Sequence, residues 1–374
     1  MVLEKLSLVN FRNYESLELD LGHSVNCFYG LNGSGKSNIL ESIHYLCMTK
    51  GYFSATDQQN IRHGSSMFII NGKFSNKNGG QDTVSCSLKS GQKKRLLLNN
   101  KEYPKLSDHI GRYPVVMVAP ADHILISGGS DIRRRLMDNI ICQTDPVYLA
   151  DLLKYNQSLL QRNALLKRIA TTGFVDRDSL NIWNQRLNEL GTAVFEKRKQ
   201  FIDRLKPLFL KHYTGVCQGS EEPDLTHIST LYDHELLESL NSSLNKDLDL
   251  KYTTKGIHKD DLGIMLNGHP VKKFASQGQQ KSVTIALKLA QFSYLYSNGN
   301  RKPIIMLDDI FDKLDRKRVL SLLDLISGDE FGQVFITDTS ESMLDSLFAS
   351  STFTYRMFDV NKGIAAERKN EVPA

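Results

Sequence analysis

Gly30-Leu31-Asn32-Gly33-Ser34-Gly35-Lys36-Ser37 fits the spacing G-x-x-x-x-G-K-[ST] and directly follows the apolar, β-prone stretch Val25-Asn26-Cys27-Phe28-Tyr29. A strand, this loop and then a helix make a phosphate-binding loop, and a chance glycine-rich turn would lack both flanks. A nucleoside triphosphate presents several anionic oxygens, which backbone N–H groups cradle only where glycines let the chain come close. Gly30, Leu31, Asn32, Gly33, Ser34 and Gly35 form that candidate cradle for ATP. Lys36 would reach the β- and γ-phosphates, and Ser37 would offer its hydroxyl to Mg²⁺. Apolar Ile39, Leu40, Ile43 and Leu46 predict a helix over 37–48 whose positive end faces the phosphates, with Asn38 in its first turn.

The second half of a nucleotide site is expected at Ile304-Ile305-Met306-Leu307-Asp308-Asp309. A parallel core strand reads as a continuous apolar run, and ligands sit beyond the carboxyl ends of such strands. Asp308 is therefore the candidate Mg²⁺ residue beside Ser37, acting through a water. Asp309 is the candidate catalytic carboxylate that polarises the attacking water, with Lys36 as its cationic counterpart. A solvated strand end with two carboxylates is the plainer alternative for this segment taken alone.

Asp308 lies 272 residues beyond Lys36, far more than a simple kinase or small GTPase needs, so a large insertion separates the motifs. Before the second motif stands Phe274-Ala275-Ser276-Gln277-Gly278-Gln279-Gln280-Lys281, leading into a helical pattern through Val283, Ala286, Leu287 and Ala290. Ser276, the Gly278 backbone and Gln279 would supply donors at the positive end of a helix, a second anion site. An ordinary N-capped helix accounts for the tetrapeptide equally well. The order of phosphate loop, signature turn and Asp-Asp is that of ABC-type ATPases.

Further segments join these motifs: Asn10-Phe11-Arg12-Asn13-Tyr14, Arg133-Arg134-Arg135-Leu136-Met137-Asp138, Gln161-Arg162-Asn163-Ala164-Leu165-Leu166-Lys167, Gly256-Ile257-His258-Lys259-Asp260-Asp261-Leu262, and Leu307-Asp308-Asp309-Ile310-Phe311-Asp312-Lys313-Leu314-Asp315. In this order, over about residues 1 to 360, the set closely resembles the RecF family of bacterial recombination-mediator ATPases. The resemblance implies an ABC/SMC-like head that forms an ATP-dependent homodimer and binds DNA, both duplex and single-strand/duplex junctions. It implies RecO and RecR as partner proteins, help in loading recombinase at single-stranded gaps, and slow ATP hydrolysis as the release switch. It also implies nucleotide contacts from Arg12 and Asn13, and one from Asp315 across the dimer. Three departures from related heads stand out. Asp309 replaces the Glu usual in transporters, which implies slow hydrolysis. No switch histidine occurs in Gln333-Val334-Phe335-Ile336-Thr337-Asp338-Thr339, where Thr337 is the candidate substitute. Phe53-Ser54-Ala55 stands where an Arg is expected, and no role is assigned there.

The chain is 40% hydrophobic and 24% charged, with mean hydropathy −0.32. It shows neither a long apolar run nor a charged-then-apolar leader, so a soluble, cytoplasmic protein without membrane association is expected. Five scattered cysteines, Cys27, Cys47, Cys86, Cys142 and Cys217, read as reduced core thiols. No C-x-x-C pair is present for zinc, which leaves Mg²⁺ as the expected metal. A formal charge of +5 favours an acidic partner. Lys93-Lys94-Arg95, Arg133–Arg135, Arg162 with Lys167-Arg168, and Lys197-Arg198-Lys199 could each neutralise DNA phosphates, although solvated faces or a brace between lobes explain them too.

The expected fold is α/β, an ABC-type P-loop ATPase head with a mixed sheet around the loop helix and an inserted, mainly helical second lobe without a long coiled coil. The first lobe takes residues 1–112 and 298–374, and the second takes 113–297. Within the second lobe, two long helices should turn near Thr171-Thr172-Gly173. An ABC-type subunit driving a transporter or another protein partner, and a small-molecule P-loop kinase, are the rival readings. The missing switch histidine speaks against the first, and the long spacing against the second.

Overall fold

Strand β3, Val25–Tyr29, is buried at all five positions, as expected of a strand covered on both faces. In the computed structural model, which describes residues 1–75, 79–217, 221–299, 301–310, 331–348 and 354–368, β3 lies inside a six-stranded sheet. Strands are numbered along the chain. The other members are β8 (Val115–Val118), β12 (Ile304–Asp308), β13 (Val334–Asp338), β14 (Tyr355–Asn361) and β15 (Ile364–Glu367), in the order β15-β14-β3-β13-β12-β8. All neighbours are parallel except the edge hairpin β14–β15. Tyr29 pairs with Asp338 on one side and Asp359 on the other, and Asp308 pairs with Thr337. The phosphate loop and the Asp-Asp motif therefore leave the same edge of the sheet, with β13 between their strands.

A second, antiparallel sheet has the order β2-β1-β4-β5-β6-β7, from Tyr14–Asp20, Val2–Phe11, Met67–Ser75, Gln81–Lys89, Arg95–Leu98 and Lys101–Glu102. Its strands alternate buried and exposed positions, as a one-sided sheet should. The helix Lys36–Met48 joins both layers: Ile39, Leu40 and Ile43 share one core with Leu3, Leu6 and Phe68 of this sheet and with Phe28, Met306 and Phe335 of the other. Gln333 stitches the layers with a fully used side-chain amide. Its Oε1 accepts from Leu3 N at 2.8 Å, and its Nε2 donates to Leu3 O at 2.8 Å and Gly22 O at 2.7 Å. No helix among the described residues is long and apolar enough to cross a membrane.

The chain divides into two compact units, Met1–Asp122 with Gly215–Cys217 and Gln291–Ala374, and His123–Thr214 with Gln218–Ala290. This moves the expected boundaries at 112/113 and 297/298. Val115–Val118 is an apolar run that must be covered on both faces, and pairing with Ile304–Leu307 places it in the nucleotide-loop sheet. At the other end the division falls inside the helix Gln277–Asn298.

The second unit contains helices Ser130–Cys142, Pro146–Thr172, Leu236–Ser242 and Leu244–Leu250, and most of Arg177–Val216. Pro146 opens the second of these, where the Asp145 side chain accepts from Tyr148 N at 2.9 Å, and Gly173 ends it with φ 71°. The expected turn at 171–173 is thus a left-handed glycine stop. A small sheet, β11-β10-β9 (His269–Pro270, Asp261–Leu266, Pro223–Ile228), was not expected in a mainly helical lobe. Half of it is a polar stretch, Asp224-Leu225-Thr226-His227, whose partner strand lies more than thirty residues downstream, so no local pattern announces the pairing.

Candidate nucleotide site

Gly30, Gly33 and Gly35 adopt φ of 149°, 78° and 123°. At two of them space is also closed: a Cβ on Gly30 would sit 2.2 Å from Val360 O, and one on Gly35 2.5 Å from Asn13 Nδ2. Lys36, only 6% exposed, folds its ammonium back to donate to Gly30 O at 2.7 Å and Leu31 O at 3.1 Å. Leu31 itself is 81% exposed. Within the loop, Ser34 Oγ is buried without a hydrogen-bond partner among the described residues. An orphan buried hydroxyl in a glycine-rich loop that also holds a lysine is what a bound phosphate would satisfy, so the residues fit a triphosphate.

Other sequence-selected residues hold this loop. Asn13 Nδ2 donates to Ser34 O at 2.9 Å, and Asn38 Nδ2 donates to Asn13 Oδ1 at 2.7 Å. Tyr14 hydroxyl donates to Gly35 O at 3.1 Å, and Gly363 N to Ser34 O at 3.1 Å. Asn13 and Asn38, expected to touch nucleotide, also brace the loop through these side-chain amides. Arg12 Nη2 donates to Ser54 Oγ at 2.9 Å and approaches Glu41 Oε1 at 3.5 Å.

Glu41 is the anchor that sequence reasoning missed. Fully buried on the loop helix, its carboxylate accepts from Tyr52 N at 2.7 Å, Phe53 N at 3.1 Å, Ser54 N at 3.2 Å and the Ser54 hydroxyl. Ser54, given no role above, is thus part of the scaffold. The available signal was a lone carboxylate between Leu40 and Ile43, because a buried acid must have partners.

The two metal-side residues meet. Ser37 Oγ donates to Asp308 Oδ1 at 2.8 Å, across a separation of 271 residues. Thr337 Oγ1 also donates to Asp308 Oδ1, at 2.8 Å, and accepts from Asp309 N at 3.0 Å. Thr337, the candidate substitute for a switch histidine, orients the carboxylate pair, because β13 lies between the motif strands. Burial, then the charge of Asp309, raises Asp308 above the usual carboxylate range, against hydrogen bonds from Thr337 and Ser37 and the charge of Lys36. A hydroxyl and a carboxylate on this edge suit Mg²⁺, which takes few protein ligands and prefers oxygen. Asp309 has φ 48°, and its Oδ1 is buried without a hydrogen-bond partner among the described residues.

At the signature, Ser276 N donates to Gln279 Oε1 at 2.6 Å and Gln279 N donates to Ser276 Oγ at 3.2 Å, a reciprocal cap opening the helix Gln277–Asn298. Gln279 Nε2 also donates to Glu221 Oε1 at 2.6 Å, so one of its two N–H donors helps build the turn. Ser276 is exposed, and Gly278 follows it within the first turn of the helix. Asp315 lies outside the described residues.

Most of the basic clusters turn inward. Arg133 pairs with Asp261 at 2.7 Å, and Arg134 donates to Asp260 O at 2.6 Å. Arg198 bridges Asp138 at 2.9 Å and Asp260 at 2.8 Å, and Arg162 pairs with Asp247 at 2.7 Å with both side chains fully buried. Lys94 is held by Asp57 at 2.7 Å. Exposed lysines of those clusters, such as Lys93 and Lys167, remain open to solvent.

The description "RecF/RecN/SMC N terminal domain" belongs to a family model that matches residues 2–365. The DNA replication and repair protein RecF of Flavobacterium johnsoniae is 45% identical over 360 residues, covering 96% of this chain and all of that protein. Its namesake from Bacteroides fragilis strain YCH46 is 42% identical over 371 residues, covering 99% and 100%. A solved structure of the recombination mediator protein RecF with ATP, from the RecFOR pathway, superposes with TM-score 0.89 at 28% identity, covering 98% of each chain. An Smc head domain from Pyrococcus furiosus shares the fold at TM-score 0.58 and 16% identity, covering 98% of this chain and 96% of that one.

Proposed function

The chain belongs to the RecF family of DNA replication and repair proteins, and from that premise we propose that it is an ATP-gated DNA clamp acting at single-stranded gaps and junctions. The observation that carries the reading is the Ser37–Asp308 contact at 2.8 Å, which closes a phosphate and metal edge from two distant motifs. In the proposed cycle Lys36 and the backbone of 30–35 bind the triphosphate, while Ser37 and Asp308 hold Mg²⁺. A bound Mg²⁺ would supply positive charge against the phosphates. Ser276 and the Gly278 backbone of a second copy complete the γ-phosphate's surroundings, with Asp315 as a further contact, so only the triphosphate bridges both copies. Differential affinity drives the switch: Asp309 directs water to the γ-phosphate, and the closed dimer loses the contact that favoured it. RecO- and RecR-like mediators would then receive the gap for recombinase loading.

The test is binding of a labelled gapped duplex at one fixed salt concentration, with ATP-Mg²⁺, with ADP-Mg²⁺ and with Lys36→Met. Salt is held constant because phosphate contacts dominate affinity. ATP should tighten binding about tenfold or more over ADP, and Lys36→Met should erase the difference. Equal, feeble binding in all three would remove DNA as the direct ligand and favour a protein partner driven by the same ATPase.

Ser276→Arg should leave ATP binding by a single copy within about twofold and abolish ATP-dependent dimerisation in light scattering. Loss of the serine cap costs only about 1 kcal/mol, too little to unfold a 22-residue helix packed along its length. Dimers that persist in this variant would contradict the composite site.

A further inference from the structure

The hairpin β14–β15 closes with a two-residue turn, since Asn361 pairs with Ile364. Lys362 and Gly363 have φ of 47° and 81°, both positive as a type I′ turn demands. Asn-Gly is the inexpensive solution there, because Asn tolerates the left-handed region far better than Lys. This chain places a lysine in the strained position, and placement explains it better than folding. Gly363 N donates to Ser34 O at 3.1 Å, and a Cβ on Gly363 would lie 2.7 Å from Asn13 O. Three residues earlier, Val360 O closes against Gly30. The turn is therefore seated directly on the phosphate loop.

Two side chains at this seat have nothing to do within the fold. Lys362 is exposed and makes no ion pair or hydrogen bond among the described residues. Ile364, the residue after Gly363, is large, apolar and 70% exposed. By contrast Arg12, the basic residue of the neighbouring turn, is occupied by Ser54 and Glu41, and Asn13 by the loop itself. Arg12 and Asn13 offer polar groups only, so the nucleoside half of a bound triphosphate has no apolar wall among the residues named so far.

We propose that Lys362 and Ile364 supply it: the ammonium is a second cation for the polyphosphate beyond Lys36, and the isoleucine side chain is the apolar contact for the nucleoside. This deepens, and rests on, the reading of the loop as an ATP site. A free ammonium beside a phosphate cradle gains charge-assisted hydrogen bonds without breaking any it already has. An isoleucine that loses exposed surface to a nucleoside face gains by burial.

The experiment titrates the full chain and two variants with ATP and with inorganic tripolyphosphate, following intrinsic tyrosine fluorescence, with circular dichroism to show unchanged folding. Lys362→Ala should weaken both ligands by about tenfold. Ile364→Ser should weaken ATP by about fivefold and leave tripolyphosphate unchanged. Unaltered ATP affinity in either variant overturns the contact assigned to that residue, and equal loss of both ligands in Ile364→Ser overturns its nucleoside role. If the unaltered chain binds neither ligand, the ATP reading itself falls, and this proposal falls with it.

Discussion

Asp309→Asn is expected to leave ATP bound within about twofold and to slow its hydrolysis by about 100- to 10,000-fold, the range for loss of a group that orients or accepts a proton. The substitution is nearly isosteric, and asparagine tolerates the left-handed backbone at φ 48° as well as aspartate does. It also keeps the backbone N–H that Thr337 Oγ1 accepts at 3.0 Å, so the geometry of the edge survives. What it removes is a negative acceptor whose Oδ1 is buried and unpartnered among the described residues. Asp308, with its proton affinity raised by burial and held by Ser37 and Thr337, is already engaged and cannot take over. Single-turnover release of phosphate, measured alongside ATP affinity, separates the two effects. Turnover that survives within threefold would show that Asp309 does not direct the water. If the proposed switch holds, the variant should also retain DNA longer in ATP.

Arg162→Ala is expected to destabilise the second unit by about 3 to 5 kcal/mol, the usual result of stranding one member of a buried ion pair. The guanidinium donates to Asp247 at 2.7 Å, Thr253 Oγ1 at 2.7 Å and Asn184 Oδ1 at 2.7 Å, and these partners come from three separate segments. Asp247 is itself buried and would keep only its hydroxyl and backbone donors, such as Thr254 N at 2.9 Å. Denaturant unfolding measures the loss directly. Lys167→Ala, exposed on the same helix, should change stability by less than about 0.5 kcal/mol. The pair also decides between the two uses considered for this basic cluster. If Arg162 were a DNA contact, its removal would lower the salt slope of DNA binding while leaving the unfolding midpoint in place, which is the reverse of what its burial dictates.

Legibility followed the range of the interaction. The phosphate loop and its helix are local, so eight residues and their flanks sufficed for Gly30 to Ser37. Asp308 was legible because a fully covered strand writes its burial as an apolar run. The family segments at Arg133, Arg162 and Gly256–Leu262 were recognised as segments, and their shared role was not. In the structure Arg198 ion-pairs with Asp138 and Asp260 and joins the first and last of these segments, while Arg162 pairs separately with Asp247, a use that charge counting mistakes for a solvent-facing basic patch. Asn13 and Arg12 carry the right chemistry for a nucleotide, and their hydrogen bonds to Ser34 O and Ser54 are long-range contacts that no local pattern announces.

By itself the sequence determined that a triphosphate loop stands between a buried strand and an amphipathic helix, that a carboxylate pair ends a distant core strand, and that the chain resembles a RecF-type head. Periodicity and backbone propensity act over a few residues and survive in any context, so these features can be read locally. Only the tertiary structure decided that β13 separates the two motif strands and makes Thr337 the link between them. It also decided that Glu41 gathers the loop 52–54, and that the turn of the hairpin β14–β15 seats Gly363 against Ser34. Each of these joins residues far apart in the chain, and its energy exists only once strand order and register bring the partners within a hydrogen bond's reach.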